Sequence, residues 1–139
     1  MLLDGPAPLS YRGRPRRSPA IDGKDIALAA AEAAQSKKGQ NLTIIDLDGQ
    51  SSYTDFLVIV TAYSERQTRA IADAVAETMK ADHGQKVLSR EGDSSWILLD
   101  YGAVVVHVFH EDTRAFYDLD RLWSNAPRVP VPPPQSLVG

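Results

Sequence analysis

The stretch that decides the fold is residues 56–62, FLVIVTA. It is almost continuously apolar and lacks the alternation of a strand that has one face in water. A membrane-spanning helix needs about 20 apolar residues, so this run is far too short to cross a bilayer. An unbroken apolar run of this length is typical of a central strand that is covered on both faces. The rest of the chain must therefore supply neighbouring strands and the layers that cover them.

A helix begins directly after this strand. Residues 64–67, SERQ, form a capping box, in which the Ser64 hydroxyl accepts a hydrogen bond from the Gln67 N–H while the Gln67 side chain reaches back. Apolar residues then recur at helical spacing until a stop near Gly84. They are Ile71, Val75 and Met79. We predict a helix with one buried face.

Further elements lie on both sides. An Ala-rich helix is predicted over Lys24–Ser36 and a strand over Leu42–Leu47. After the second helix, strands are predicted at Lys86–Arg90, Trp96–Tyr101 and Ala103–Phe109. Because only the Tyr101-Gly102 region separates the last two strands, we expect an antiparallel hairpin.

The last predicted element is a short helix from about Thr113 to Trp123, with Phe116, Leu119 and Trp123 on its inner face. The order of elements is then α-β-β-α-β-β-β-α. This order predicts an α+β domain that consists of a mixed five-stranded sheet and three helices.

Both ends of the chain differ from this domain in composition. Residues 1–20 hold four prolines and four arginines, which predicts a basic, extended or disordered arm. Residues 126–139 are Pro-rich and predict a stiff polyproline II tail. We therefore divide the chain into an arm (1–20), a folded domain (21–125) and a tail (126–139).

The charge of the predicted domain restricts its partners. Residues 21–123 hold 17 acidic against 10 basic side chains, a net charge of −7. Such a surface repels a bare phosphate backbone and favours a basic macromolecule, for example a ribosomal protein. The chain has no cysteine, so it has neither a disulfide framework nor a thiolate metal site. No signal-peptide pattern is visible, and we expect a cytoplasmic protein that does not associate with membranes.

Few residues suggest catalysis. Asp55 precedes the central strand, as in nucleotidyltransferases, where two carboxylates two residues apart hold magnesium ions. Here the second position is Leu57, and the Gly-Ser turn is missing. His107 and His110 lie three apart on a strand, so they face opposite sides and cannot share a metal. Asp46 and Asp48 could form a metal pair, although such acids more often mark a solvated strand end. We expect no cofactor, no metal and no enzymatic activity.

Two blocks carry a resemblance to a known family. The first is YTDFLVIVTAYSERQTRAIAD, residues 53–73, and the second is WILLDYGAVVVHVFHEDTRAFYDLDRLW, residues 96–123. Both resemble the signature segments of the ribosomal silencing factor, or Iojap, family over about 100 residues, 24–123. Members commonly carry an acid where this chain has Ala103, and a polar uncharged residue where it has Glu65.

The resemblance implies a nucleotidyltransferase-like core without the catalytic carboxylate pair. It implies that the partner is large-subunit ribosomal protein fourteen, and that binding blocks the joining of the ribosomal subunits. It also implies that free members form homodimers. Two alternatives stay open: a large-subunit assembly factor that uses the same surface, and a divergent nucleotidyltransferase that uses Asp55 with a carboxylate from another strand. The N-terminal Arg arm is the one segment for which direct contact with ribosomal RNA stays open.

Strand alternation indicates where the partner binds. Trp96, Leu98 and Asp100 share one face of their strand, and this mixture of an aromatic, an aliphatic and a carboxylate suits an open sheet face. The competing interpretation is that Trp96 packs under a helix while Asp100 shapes the hairpin turn. The complete set of candidate partner-binding residues is Trp96, Leu98, Asp100, Tyr101, Asp55, Arg66 and Tyr117.

Overall fold

A computed structural model describes residues 22–47 and 49–133. Residues 1–21, which include the predicted arm, lie outside this range, as do Asp48 and residues 134–139. In chain order the elements are α1 (Gly23–Gln35), β1 (Gln40–Asp46), β2 (Phe56–Ala62), α2 (Glu65–His83), β3 (Ser89–Asp93), β4 (Trp96–Asp100), β5 (Val104–His110), α3 (Glu111–Tyr117), α4 (Leu119–Leu122) and β6 (Arg128–Val129). The predicted α+β class with a mixed sheet is confirmed.

Strands β2 and β5 form the centre of the sheet and run parallel, from Phe56 opposite Val104 to Ala62 opposite His110. Residues 57–62 and 104–109 are all buried, so the central pair is covered on both faces, as the apolar run predicts. The sheet order is β3-β4-β5-β2-β1-β6, and every other neighbouring pair is antiparallel. The predicted hairpin is β4 and β5, with Gly102 in its turn at φ +88°.

One sheet face is covered by the two long helices. The Ser64 side chain caps α2 through the Gln67 N–H at 3.0 Å, and the Gln67 side chain accepts from the Tyr63 N–H at 2.7 Å. Gly84 ends α2 in the left-handed conformation. Both helices bury their apolar stripes against alternate residues of β1, β2, β4 and β5. We call this side the helix face of the sheet.

The other side, which we call the second face, has a thinner cover. Its buried cluster contains Ile45, Leu47, Leu57, Ile59, Val105, Phe109 and Ala126. Leu119 and Trp123 pack against this cluster, as their helical spacing predicts. Two short helices with a break at Asp118 take the place of the single predicted helix.

The prediction that Phe116 lies on the inner face of that helix is wrong, because the side chain is 79% exposed. The physical reason is the break. Asp118 adopts φ 50° and ψ 52°, so residues on either side of it do not share one continuous helical stripe.

Two strand predictions also need correction. The third strand begins at Ser89 rather than Lys86, because its register is set by pairing with β4, Ser89 opposite Asp100 and Asp93 opposite Trp96. The sheet has six strands, not five. The sixth lies in the Pro-rich segment, where Ile44 pairs with Val129 and Ile45 with Arg128. Proline confines a strand to a sheet edge, and β6 lies at the edge beside β1.

The described part of the predicted tail contacts the domain. Ala126 and Val129 are buried, Val131 packs on the helix-face core, and the Gln35 side chain donates to the Pro132 carbonyl at 2.9 Å. The division of the chain at residue 125 stays a prediction. The contacts indicate that residues 126–133 contribute to stability.

We expect a chain that ends at residue 125 to be less stable than one that ends at residue 133. The shorter chain loses the burial of Ala126 and Val129 and the β1–β6 pairing, at a cost of about 2–4 kcal/mol. Denaturant unfolding of the two chains measures the difference. Equal midpoints would show that β6 adds nothing to the stability of the domain.

Candidate functional site

The second face is open above β3 and β4. Cross-strand pairing places Trp96 opposite Asp93 and Leu98 opposite Glu91, so the five side chains of Trp96, Leu98, Asp100, Glu91 and Asp93 lie on one surface. We call these five residues the β4 strip. Trp96, Leu98 and Asp100 are partly exposed, and Glu91 and Asp93 are exposed. The strip therefore combines apolar groups with three carboxylates.

Trp96 is held from several sides. Its indole Nε1–H donates to His107 Nδ1 at 3.0 Å. Its ring lies 4.8 Å from the ring of Phe109 and 4.5 Å from the ring of Tyr117, centroid to centroid. Trp96 thus packs beside α3, as the competing interpretation supposed, while part of its ring remains exposed to solvent.

His107 is buried, with 5% of its surface exposed. Burial lowers the pKa of His107 to about 4, because desolvation disfavours the imidazolium. The hydrogen bond agrees with this, since Nδ1 can accept from Trp96 only when that nitrogen carries no proton. His107 is therefore a packed, hydrogen-bonded residue of the second face.

This histidine makes stability depend on pH. In the unfolded chain the pKa of His107 has its ordinary value of 6.5, whereas in the folded chain this pKa is about 4. The stabilising contribution is therefore complete above pH 6.5 and decreases as pH falls towards 4. We expect the free energy of unfolding to fall over this range by up to roughly 3 kcal/mol.

The matched variant is His107→Gln, which keeps an acceptor for Trp96 and does not titrate. Chemical unfolding of both proteins at several pH values separates His107 from the carboxylates, because the carboxylates contribute to both curves. Parallel curves between pH 6.5 and pH 4 would contradict this account.

Arg114 fixes the cover of the second face. Its Nη2 donates to Thr43 Oγ1 at 3.0 Å, and its Nη1 donates to Thr61 Oγ1 at 2.9 Å and to the Asn41 carbonyl. Its Nε and Nη2 also donate to the two carboxylate oxygens of Asp120, at 3.1 and 2.9 Å. One guanidinium therefore joins β1, β2, α3 and α4, and the planar fork of arginine suits this bidentate geometry.

The pKa of Asp120 reflects both its burial and its pairing with Arg114. Burial alone would raise the pKa of Asp120, but the hydrogen bonds and charge of Arg114, with a smaller effect of Arg128, outweigh burial and hold that pKa below its usual value. Arg128 reinforces the same segment, because its guanidinium donates to the carbonyls of Asp120, Trp123 and Ala126. The connection from α4 to β6 is thus held by Arg114 at its α4 end and by Arg128 at its β6 end.

We expect Arg114→Met to lower the free energy of unfolding by about 2–4 kcal/mol, because it leaves Asp120 partly buried without its bidentate partner. Arg90→Met is the matched control. Arg90 pairs with Asp73 at 2.8 Å, but both side chains are well exposed, so its loss should cost less than about 1 kcal/mol. Denaturant unfolding compares the two, and equal losses would refute the role of Arg114.

Asp100 has two roles in the structure. Its Oδ1 accepts from the Gly102 N–H at 2.8 Å, which shapes the hairpin turn. It also carries charge at the end of the β4 strip, where Tyr53 lies 57% exposed. Burial, then the charges of Asp100 and Glu91, raise the pKa of Tyr53 above its usual value, so phenol and carboxylates share one patch.

Of the other four candidate residues, three lie outside the strip. Tyr101 is on the helix face, 7% exposed, and burial raises its pKa to about 12. Arg66 is exposed in the first turn of α2, on the helix-face side. Asp55 is exposed at the start of β2. Tyr117 joins the strip by contacting Trp96. The structure thus unites Trp96, Leu98, Asp100 and Tyr117, and does not bring Arg66 or Tyr101 to them.

Sequence reasoning missed Glu91 and Asp93 as parts of this surface, and it missed Arg114 as the residue that anchors α3 beside it. Glu91 and Asp93 are two residues apart, so strand alternation places them on one face. This signal was missed because the predicted strand, Lys86–Arg90, begins three residues before the observed β3. For Arg114 the sequence offers no comparable signal, since its partners Thr43 and Thr61 belong to distant strands.

The geometry offers little to a metal ion. Leu57, which takes the place of a second carboxylate after Asp55, is buried in the second-face core. Within residues 22–47 and 49–133, no group of three or more His, Asp or Glu side chains is placed to hold a metal. Among the described helices, none has the length and apolar character needed to cross a membrane.

Comparison with known proteins identifies the family. The family model of the ribosomal silencing factor during starvation matches residues 20–137. The chain belongs to this family. A ribosomal silencing factor RsfS from Bacillus subtilis is 37% identical over 109 residues, which is 77% of this chain and 92% of that protein. The chloroplastic protein Iojap of maize is 36% identical over 112 residues, 77% of this chain and 47% of that protein.

Solved structures agree with the sequence comparison. A crystal structure of a Chromobacterium violaceum protein superposes with a TM-score of 0.72 at 31% identity and covers 75% of this chain and 88% of that one. The resemblance first carried by residues 53–73 and 96–123 is thereby confirmed, and the fold of the family extends over the described domain.

Proposed function

We propose that this chain is a ribosomal silencing factor that binds large-subunit ribosomal protein fourteen and sterically blocks association of the ribosomal subunits, which represses translation. Membership of the silencing-factor family supports the general role. The observation that supports a docking site is the β4 strip, a sheet surface that α3 and α4 leave uncovered.

The chemistry of the strip suits a basic protein. Trp96 and Leu98 supply apolar area that a partner can desolvate, and Glu91, Asp93 and Asp100 supply negative charge around it. An apolar centre with a charged rim is the usual anatomy of a protein interface. Arg90 does not cancel this charge, because it lies with Asp73 of α2 on the other side of the sheet. Large-subunit assembly would use the same surface, so it remains the alternative role.

We also propose that the chain is not an enzyme. The nucleotidyltransferase alternative needs a carboxylate beside Asp55, and the position two residues later holds the buried Leu57. A shared fold does not carry the shared activity when the metal ligands are absent. The proposed function also includes a cytoplasmic location, whereas self-association of the free protein and RNA contact by the arm stay open.

We expect Asp100→Asn to slow association with purified large subunits. The amide keeps the acceptor for Gly102 and removes only the charge, so folding should be unchanged. A rim charge of this kind is worth up to about 1 kcal/mol, or roughly 5-fold in affinity, and the defect should shrink as salt rises.

Asp82→Asn is the matched control, because Asp82 is exposed on α2, away from the second face. Surface kinetics at two salt concentrations compare both variants with the unaltered chain. Equal association rates for all three would sink the role of the β4 strip, and an unaltered chain that fails to bind large subunits would sink the proposed function itself.

A further inference from the structure

Helices α3 and α4 present large apolar side chains to solvent. Phe116 is 79% exposed, Leu122 is 69% exposed and Tyr117 is 49% exposed. Scattered exposed apolar residues need no explanation, but Phe116 and Tyr117 contact each other and form one exposed aromatic patch. Within the described residues, the aromatic ring that Phe116 contacts is that of Tyr117, in a T-shaped arrangement with 5.0 Å between the ring centroids.

The orientation of Phe116 is set by Arg114. Arg114 binds the sheet through Thr43 and Thr61, so its side of α3 faces β1 and β2. Residues two apart on a helix point about 200° apart, since each residue turns the helix by about 100°. Phe116 is therefore directed away from the sheet by the same anchor that holds α3 in place.

The exposed patch is continuous with the β4 strip. Phe116 contacts Tyr117 at 5.0 Å, and Tyr117 contacts Trp96 at 4.5 Å. Trp96 in turn contacts the buried Phe109 at 4.8 Å. A row of aromatic rings thus runs from the core, across β4, to the outer surface of α3. A partner that covers Trp96 meets Tyr117 and Phe116 next.

The charges near the patch identify the kind of partner. Glu111 and Asp112 are exposed in the first turn of α3. Arg114 is neutralised by Asp120, and Arg121 is the exposed base of α4. Aromatic rings can stack on nucleotide bases, but RNA binding relies on cations that contact phosphate. Here acids flank the rings, which favours a basic protein.

We infer that the docking surface extends from β4 onto α3, and that Phe116 is a second anchor that enters an apolar recess on the same basic ribosomal protein. This inference rests on the proposed function. It enlarges the surface from a strip on one strand to a two-part surface, in which charge on β3 and β4 steers the encounter and the rings of α3 hold the complex.

The test compares Phe116→Ala and Phe116→Leu. Because Phe116 is 79% exposed, both variants should unfold at the same denaturant concentration as the unaltered chain. Loss of an interface anchor should weaken binding to purified large subunits by about 10- to 100-fold, mainly through faster dissociation. Phe116→Leu, which keeps an apolar group, should retain most of the affinity.

Leu88→Ala is the matched control. Leu88 is 72% exposed and lies outside the aromatic row, so its truncation should leave binding unchanged. Equal losses for Leu88→Ala and Phe116→Ala would mean that general hydrophobic adhesion, not a specific anchor, is measured, and the inference would fall. Wild-type dissociation kinetics for Phe116→Ala would overturn it directly.

Two further measurements test whether a second copy of this chain or ribosomal RNA covers the patch instead. If Phe116→Ala converts a dimer into a monomer in sedimentation of the free protein while binding is unchanged, a second copy covers the patch and the inference is wrong. Binding to purified ribosomal RNA that Phe116→Ala abolishes also overturns it. If Asp100→Asn weakens docking and Phe116→Ala does not, this inference alone fails, whereas absence of docking by the unaltered chain removes the proposed function as well.

Discussion

The structure depends on one constraint, which is that the parallel strands β2 and β5 must be shielded from water on both faces. Nearly every side chain of these strands is apolar and buried, so each face needs a covering layer. The two long helices pack against each other and against the same face. The cover of the second face has to come from the chain after β5, where two short helices and the segment leading to β6 supply it. This cover reaches the central strands and stops short of β3 and much of β4.

The candidate site results from this incomplete cover. Trp96 stands at its boundary, between the buried Phe109 and the exposed outer surface of α3. Arg114 sets the position of that boundary, because it ties α3 and α4 to Thr43 and Thr61. Buried guanidinium groups are stabilised only when their hydrogen bonds are satisfied, and here the threonines, a carbonyl and Asp120 satisfy them. The resulting surface is acidic and apolar together, which suits a basic protein better than RNA.

Leu57 shows how packing limits the chemistry available at the start of β2. It stands two residues after Asp55, where a nucleotidyltransferase would need its second carboxylate, and it belongs to the second-face core. A carboxylate at that position would be buried beneath the segment after β5, without a cation to balance it. Hydrophobic packing therefore occupies the position of a second metal ligand, and the proposed docking surface lies on the same face of the sheet, at β4.

The sequence by itself determined the class of the fold and most of its elements. Strand β2 and the capped helix α2 were predictable because their signals are local: an apolar run, a capping box and a glycine stop. The face shared by Trp96, Leu98 and Asp100 was predictable because strand alternation requires no knowledge of neighbours. The family could be identified from the sequence because its signature segments are two contiguous blocks, residues 53–73 and 96–123.

Tertiary structure decided the rest, because the deciding contacts join residues far apart in the chain. The start of β3 depends on its register with β4, and β6 exists because the edge of β1 accepts Arg128 and Val129. The exposure of Phe116 depends on the break at Asp118 and on Arg114, whose partners lie 53 and 71 residues away. Helical periodicity places Phe116, Leu119 and Trp123 on one stripe, and only the anchoring of α3 to the sheet turns Phe116 outwards, since a local pattern cannot specify a contact whose partner lies on another strand.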